Sequence, residues 1–300
     1  MSNKFGSING VGPSRVFLPT GSYPSLLDFL VARFPAGSRQ GWAERLRQGN
    51  VLNQLGEPLA VDSPYLPGQH IYYYRQLRQE SPIPFKENIV YQDDYIVIAD
   101  KPHYLPISPV GPFLQETLLV RLRNRLGIET LNSAHRIDLE TAGLVLFTIK
   151  SETRGAYQNL FRDQKIDKYY EAIAPLKAGL TYPLRYQSCL EESDAFMQMR
   201  EVVGLPNSET VIELLESKGD WGKYRLTPIT GKKHQLRAHM NALGMPIKND
   251  QIYPVLKQYI HPEHRDYSQP LQLLAQSLSF TDPFTKKNHT FQSGLSLEEL

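Results

Sequence analysis

The segment from residue 134 to residue 143 concentrates side chains that can do chemistry. His135, Arg136, Asp138 and Glu140 lie close together there, directly before a run of apolar residues. A loop carboxylate can act as a nucleophile or base when a nearby cation keeps it ionised. An aspartate in a loop more commonly serves as a turn or capping residue. Spacing alone therefore makes Asp138 a candidate and leaves both roles open.

A second polar segment, residues 230–239, contains His234, Arg237 and His239. With His135 these histidines suggest a metal-dependent hydrolase as one alternative function. A zinc protease places two histidines one helical turn apart with a glutamate between them. His234 and His239 have neither that spacing nor an acidic residue between them, so the sequence disfavours this alternative.

A glycoside hydrolase that uses Asp138 and Glu140 is a second alternative. Such an enzyme needs two carboxylates that converge on one bond. Alternate residues of an extended segment point to opposite faces, so we expect these two side chains to diverge. The sequence therefore disfavours this function as well.

Composition sets broad limits on the class of protein. The chain has 300 residues, 41% of them hydrophobic and 21% charged, which is typical of a globular protein with one large domain and a small appendage. The net charge of +2 is too mild to indicate a nucleic-acid partner by itself. One cysteine, Cys189, excludes an internal disulfide and a cysteine-based zinc site. Residues 1–6 do not resemble a secretory signal and no apolar run would span a bilayer, so we expect a cytoplasmic protein.

Residues 1–84 are predicted to form a small α/β unit followed by a linker. Ser25 and Asp28 have the spacing of a capping box at the start of a first helix, and a second helix is predicted over residues 38–49. Short strands joined by turns follow. The polar, proline-containing stretch 76–84 is the predicted linker.

Residues 85–300 are predicted to form an α+β domain. Hairpins are indicated around residues 93–94 and 219–220, and residues 143–149 are apolar on both faces, as in a central strand. A helix over residues 116–126 buries a leucine stripe and is predicted to leave Arg121, Arg123 and Arg125 exposed. Hairpins with few helices imply a largely antiparallel mixed sheet with flanking helices.

Four ordered segments resemble the RluA-type pseudouridine synthase family. Residues 134–143 are similar to the family's His-Arg-Leu-Asp-x-x-Thr-Ser-Gly motif, with Ile137 and Ala142 as departures. The other three segments resemble, in order, a Lys-Pro-x-Gly loop, a Lys-x-Tyr-x-Ala strand and a Gly-Arg-x-His-Gln-Ile-Arg-x-His segment: Lys101-Pro102, residues 168–172 and residues 230–239.

Some positions depart from the family pattern. His103-Tyr104 stands where a small residue and glycine are usual, and Asn249 replaces the glycine of a Gly-Asp pair. Residues 273–275 read Leu-Leu-Ala where the family often has Leu-His-Ala. These changes concern loop geometry and substrate choice more than the proposed nucleophile.

The resemblance implies an RNA pseudouridine synthase, an isomerase that acts on uridines of ribosomal or transfer RNA without cofactor or metal. It assigns catalytic roles to three residues. Asp138 matches the catalytic carboxylate, Arg237 the arginine that pairs with it, and Tyr170 the tyrosine that stacks on the target base. Whether Asp138 attacks the sugar, attacks the base or abstracts a proton stays open.

The resemblance also implies a set of substrate-binding residues: Arg136, His135, Leu236, Lys101 and Lys168. Arg136 matches an arginine that fills the space of a flipped base, and a phosphate contact or a structural salt bridge is its alternative. His135 is expected to orient its loop by hydrogen bonds. Leu236 either packs on the base or belongs to the core.

RNA is the expected partner, and we expect a monomer. Residues 1–84 resemble the small RNA-binding domain that often precedes these synthases, and a cap on the catalytic domain is the alternative. Six basic residues are candidates for a phosphate-binding rim, although a single such residue is more often a solvated charge: Arg121, Arg123, Arg125, Lys232, Lys233 and Lys248.

Overall fold

A computed structural model describes residues 5–75, 80–193, 197–258 and 260–300. The chain divides into two compact units, Met1–Glu80 with Arg123–Glu129, and Ser81–Leu122 with Thr130–Leu300. The sequence predicts the boundary a few residues later, between residues 84 and 85, and that boundary stays a prediction. Part of the predicted linker, residues 76–79, lies outside the described residues.

The first unit is a small sheet with two helices. Its elements are β1 (Ser14–Phe17), α1 (Leu26–Arg33), α2 (Arg39–Arg47), β2 (Val51–Leu52) and β3 (His70–Tyr73). The strands pair antiparallel in the order β1-β3-β2. Ser25 Oγ accepts the Asp28 N–H at 3.1 Å and donates to the Asp28 carboxylate at 2.6 Å, so the predicted start of α1 is confirmed.

The second unit contains the larger sheet. Its elements are β4 (Asn88–Gln92), β5 (Ile96–Lys101), the first part of α3 (Leu118–Leu126), β6 (Asn132–Ser133), β7 (Ala142–Thr148), α4 (Arg154–Arg162), β8 (Asp167–Pro175), β9 (Leu184–Glu192), β10 (Met199–Val202), β11 (Ser208–Lys218), β12 (Trp221–Pro228), α5 (Gln235–Ala242), a 3₁₀ turn (Pro262–His264), β13 (Leu273–Thr281) and β14 (Asn288–Gln292). The residues of α3 from Arg123 onward belong to the first unit. The strand order is β10-β9-β11-β12-β8-β13-β7-β5-β4, with β14 beside β13 and β6 beside β7.

The sheet is antiparallel except where β13 and β7 pair in parallel, which confirms the predicted largely antiparallel α+β fold. Strand β7 is buried over its whole length between β13 and β5, as its apolar residues predicted. The hairpin at residues 93–94 is also confirmed, because Asp93 Oδ1 accepts the N–H groups of Tyr95 and Ile96 at 2.8 Å. Across the described segments, no helix is both long and apolar enough to cross a membrane.

Arg121 is not the exposed residue that the helix pattern predicted. Its side chain is 18% exposed and forms ion pairs with Glu87 and Glu116. It also donates to the carbonyl oxygens of Ile83 and Phe85. The guanidinium therefore ties α3 to the chain before β4, and it is not available to phosphate.

Gly143, at the start of β7, lies where strand backbones almost touch. Its φ is +109°, and a Cβ there would lie 2.3 Å from the Ala275 carbonyl oxygen of β13. We expect Gly143→Ala to lower the free energy of unfolding by at least about 2 kcal/mol, through a backbone clash and a disfavoured φ. Urea unfolding measures this. Gly155→Ala on α4 is the control, because a Cβ there meets nothing within 4 Å. Equal stabilities of the two variants would contradict the prediction.

Candidate active site

The candidate catalytic residues come from different parts of the larger sheet. Asp138 lies in the loop between β6 and β7, Tyr170 lies on β8, and Arg237 lies in the first turn of α5. The structure brings Asp138 and Arg237 together across 99 positions of the chain. The loop before β7 and the first turn of α5 thus position the two charges.

Arg237 is a buried cation that binds three carboxylates. Its Nε and Nη2 donate to the two Asp250 oxygens at 2.8 and 2.6 Å, and Nη2 also donates to Glu140 at 2.9 Å. Nη1 donates to Asp138 Oδ2 at 3.3 Å. Burial works against the charged guanidinium, but the hydrogen bonds and charge of Asp250, followed by the charges of Asp138 and Glu140, outweigh it and raise the pKa of Arg237. The planar fork of an arginine suits this geometry.

Glu140 and Asp250 were not among the site residues predicted from the sequence. The expectation that Asp138 and Glu140 diverge is wrong, because residues 138–140 are loop and not strand, so both carboxylates reach Arg237. The burial of Arg237, which the structure shows, explains why these carboxylates are needed. A buried arginine has five N–H donors and needs more acceptors than a single carboxylate supplies.

Asp138 is the most accessible of the three carboxylates. Its side chain is 25% exposed, whereas Glu140 is 12% exposed and Asp250 is fully buried. It also has the longest contact to Arg237. Asp250 therefore holds the Arg237 guanidinium in place. Asp138 is the carboxylate of the three that is most able to face a substrate.

His234 is a second neighbour of Asp138. Its Nε2 lies 3.7 Å from Asp138 Oδ1, and its side chain is 7% exposed. The residue precedes α5 with φ +50°, a left-handed conformation that is uncommon outside glycine. Burial lowers the pKa of His234, against the charge of Asp138, which favours a neutral imidazole beside the carboxylate.

Tyr170 lies within electrostatic reach of Asp138. Burial raises the pKa of its hydroxyl, and the charge of Asp138 raises it further. The ring packs beside the core cluster that includes Ala172, Leu226 and Leu236. A neutral phenol with a flat ring next to the carboxylate fits the predicted stacking role.

Lys101 is enclosed at the end of β5. Its side chain is fully buried, and Nζ donates to the carbonyl oxygens of Pro102 and Leu139 at 3.0 Å. Leu139 is the residue after Asp138, so this lysine holds the Asp138 loop. The geometry favours a positioning role over the substrate contact expected from the sequence.

Lys101 gives a testable pH dependence. Burial lowers its pKa to about 7, against the charges of Asp138 and Glu140. Because the folded pKa lies below the unfolded value of 10.5, the unfolded chain binds more protons between these values, and stability rises with pH in that window. We expect wild type to gain up to about 1.4 kcal/mol per pH unit relative to Lys101→Met. Urea unfolding at pH 7, 8 and 9 measures the difference, and parallel profiles for the two proteins would contradict it.

The remaining residues of the substrate-binding set divide into two groups. His135 Nε2 accepts the Leu146 N–H at 3.0 Å, and its ring stacks on Phe161 with centroids 4.1 Å apart. Burial, and then the charge of Lys168, lowers the pKa of His135 to about 3, so it is a neutral anchor of its loop. Leu236 is 7% exposed and belongs to the core cluster. Neither position favours a direct substrate contact.

Arg136 and Lys168 are the two members of the set whose charged groups have no hydrogen-bond partner among the described residues. Arg136 is exposed, and it makes no hydrogen bond or ion pair to any other described residue. Lys168 Nζ lies 5.9 Å from the centre of the Phe161 ring and likewise has no hydrogen-bond partner in the described part of the chain. Burial lowers the pKa of Lys168. Both cations remain able to bind an anion.

The histidines of the metal hydrolase alternative do not form a ligand set. His239 is fully buried, and its nitrogens lie 2.9–3.1 Å from the hydroxyl oxygens of Ser188, Ser208 and Thr210. Within the segments that the structure describes, no group of three His, Cys, Asp or Glu side chains is arranged to hold a metal ion.

Comparison with known proteins identifies a family for this chain. A sequence model of the family described as RNA pseudouridylate synthase matches residues 94–242, which include Asp138, Tyr170 and Arg237. The dual-specificity RNA pseudouridine synthase RluA of Pasteurella multocida is 30% identical over 221 residues, covering 69% of this chain and 92% of that protein. The protein of the same name from Haemophilus influenzae is 30% identical over 210 residues, with the same two coverages.

A solved structure supports the fold. The human RNA pseudouridylate synthase domain containing 1 superposes with a TM-score of 0.56 at 21% identity, covering 72% of this chain and 86% of that one. At that identity the likeness concerns architecture alone. The family follows from the matched sequence model and the two relatives. The chain belongs to the RNA pseudouridylate synthase family and is an RluA-type RNA pseudouridine synthase.

Proposed function

We propose that this protein converts specific uridines of ribosomal or transfer RNA into pseudouridine, with Asp138 as the reacting carboxylate. The observation that carries the proposal is the pairing of an accessible Asp138 with a buried Arg237, beside Tyr170. The dual-specificity names of the relatives support the choice of RNA.

The reaction needs only groups that this site supplies. The bond between N1 of uracil and C1′ of the ribose breaks, the base turns, and C5 bonds to C1′, while the C5 proton leaves to solvent and N1 gains a proton. Atoms balance without an oxidant or reductant. Asp138 serves the cleavage and rejoining steps from beside the sugar, and Arg237 keeps it ionised. Tyr170 stacks on the base.

A uridine in folded RNA must leave its stack before it reaches Asp138. Arg136 is exposed two residues away, and its planar guanidinium is suited to occupy the space of the flipped base. Arg136 is therefore the proposed substrate-binding residue on the RNA side of the loop.

A polar groove provides a path for the rest of the RNA. It has a volume of about 870 Å³, and its lining includes Lys168, Tyr169, Arg225 and Lys232. Arg225 lies over the Tyr169 ring at 4.7 Å. Cations and aromatic rings in one groove suit a ribose-phosphate strand. Two of the predicted rim residues are less available, because Lys233 pairs with Glu192 and Lys248 pairs with Glu298.

Other features of the assignment remain proposals. We propose that the first unit binds RNA, that the protein acts as a cytoplasmic monomer, and that it needs no cofactor or metal. The balanced reaction supports the absence of a cofactor or metal, since it calls for no group beyond protein side chains. Activity that survives chelation with EDTA is the expected result, and its loss would favour a metal enzyme.

Tritium release tests the proposed function. RNA labelled with [5-³H]uridine must lose its tritium to water when C5 bonds to the ribose. We expect release from ribosomal or transfer RNA taken from a strain that lacks the gene, and mapping of pseudouridines in that strain should show missing sites. A complete map together with no tritium release would overturn the proposal.

A further inference from the structure

Tyr104 occupies a backbone position that suits glycine. Its φ is +64°, in the left-handed region where a tyrosine is strained. The family motif has glycine at this point of the loop. The side chain is nevertheless 5% exposed and well packed, so the surrounding structure holds it there. Local conformational preference therefore does not explain a tyrosine at this position, and its contacts must.

The contacts of Tyr104 supply that reason. Its hydroxyl donates to the Gln269 carbonyl oxygen at 2.9 Å, and its ring meets Tyr267 edge-on with centroids 5.2 Å apart. The Arg265 guanidinium lies over the same ring at 5.6 Å. Tyr104 thus fixes the segment 265–269 of the loop before β13. We call this segment the Tyr104-bound loop.

Arg265 is a cation without an anionic partner in the described residues. The acids beside it are already engaged, since Glu263 faces His261 at 3.6 Å and Asp266 accepts from Ser268. The tyrosine ring positions the guanidinium without neutralising it, because a cation–π contact leaves the charge in place. Its half-buried position leaves it open to solvent on one side.

The Tyr104-bound loop borders the carboxylate cluster. Burial raises the pKa of Glu140, and the charges of Arg237 and then of Arg265 oppose that rise, so Arg265 lies within electrostatic reach of the cluster. His103, next to Tyr104, donates from Nδ1 to the Glu140 carbonyl oxygen at 2.6 Å. The strained loop and the catalytic loop are therefore joined directly.

The carboxylates on Arg237 carry an excess of negative charge, which the charge of Arg265 can offset. Three carboxylates share the one guanidinium of Arg237, and Lys101, with a pKa of about 7, is only partly charged near neutrality. An approaching phosphodiester meets an excess of negative charge there. A solvent-accessible cation at the border offsets that repulsion.

We propose that Arg265 binds a backbone phosphate next to the target uridine and is a specificity-determining residue, and that Tyr104 is its positioning residue. This inference rests on the proposed function, because it assigns the anion to the RNA substrate. Phosphate contacts fix the register of a nucleic acid, so this contact decides which uridine faces Asp138.

Binding by an inactive protein tests the inference apart from catalysis. The probe is fluorescently labelled bulk transfer RNA and large-subunit ribosomal RNA fragments, and the protein carries Asp138→Asn. Adding Arg265→Gln should weaken binding about fivefold and reduce the slope of log K against log salt by about 0.7 to 1. Arg265→Lys should restore the slope. Arg185→Gln is the matched control, because this exposed arginine of β9 pairs with Glu209 and lies outside the site.

The tyrosine variants test positioning. Tyr104→Gly relieves the backbone strain and removes the ring, so it should fold and should reproduce the salt slope of Arg265→Gln. Tyr104→Phe keeps the ring and loses only the bond to Gln269, so its slope should stay nearer to wild type. A purely structural role would change stability and leave the slope unchanged, which would overturn the positioning role.

Steady-state kinetics on the active protein separate the remaining outcomes. Arg265→Gln should raise KM and leave kcat within about twofold. A fall in kcat with unchanged KM would overturn the inference, since Arg265 would then act on Asp138 through Glu140. If wild type released no tritium while Arg265→Gln still reduced the salt slope, the phosphate contact would stand and only the proposed reaction would fail.

Discussion

The Asp138→Asn protein is expected to release no measurable tritium from [5-³H]uridine RNA, a fall of at least about 10³-fold in rate. An amide has no charge and is a poor nucleophile and base, so it fails in every role open to Asp138. Stability should change by less than about 1 kcal/mol, because the lost contact is one 3.3 Å hydrogen bond at a part-exposed side chain. RNA binding should persist.

The control for this variant is Asp163→Asn, which makes the same chemical change at an exposed residue after α4. It should keep full activity. Tritium release and urea unfolding are measured on both proteins. An Asp138→Asn protein that retained activity while folding normally would remove Asp138 from the reaction.

Arg237→Met is expected to have the largest effect on stability, a loss of about 3–5 kcal/mol in the free energy of unfolding. The substitution leaves Asp250 and Glu140 buried without the guanidinium that binds both of them. Activity should fall together with stability, because the Asp138 loop loses its partner. Arg237→Lys keeps the charge but not the fork of donors, so its loss should be smaller.

The deficit of Arg237→Met should depend on pH. Burial already raises the pKa of Glu140, and Arg237 opposes the rise, so its removal raises that pKa further. The folded chain then binds a proton more tightly than the unfolded chain, and stability falls as pH rises through this window. Urea unfolding should therefore show a smaller deficit at pH 5 than at pH 8.

A double variant provides the control for the charge argument. Adding Asp250→Asn to Arg237→Met removes one unpaired charge and keeps the acceptor for the Ile252 and Tyr253 N–H groups. Part of the lost stability should return. A double variant no more stable than Arg237→Met alone would show that packing, and not charge, is the cause.

Local features of the fold could be predicted because neighbouring residues determine them. Ser25 caps its own helix, and Asp93 closes its own hairpin. The apolar residues of β7 require burial whichever strands flank it. In each case the interacting residues are a few positions apart or belong to the same strand, so the interaction can be predicted from the local sequence.

The site was predicted only in part. The resemblance identified Asp138, Tyr170 and Arg237 as separate motif positions, but not the two further carboxylates on the guanidinium. Arg121 was assigned to the surface because its helix face looks polar, while its partner Glu87 comes from a distant segment. Contacts between distant segments depend on the order and pairing of the strands. The periodicity of apolar residues within one helix or strand carries no information on that order.

The contacts of Arg237 have a consequence for how the chain folds. The guanidinium meets Asp138 and Glu140 across 99 and 97 positions, so each of these contacts closes a long loop in the larger unit. Closing such loops is entropically costly and occurs only once many other contacts are in place. We therefore expect the cluster of Arg237 with its carboxylates to form late, in the same cooperative step that completes the domain, so that a partly folded chain lacks the proposed active centre.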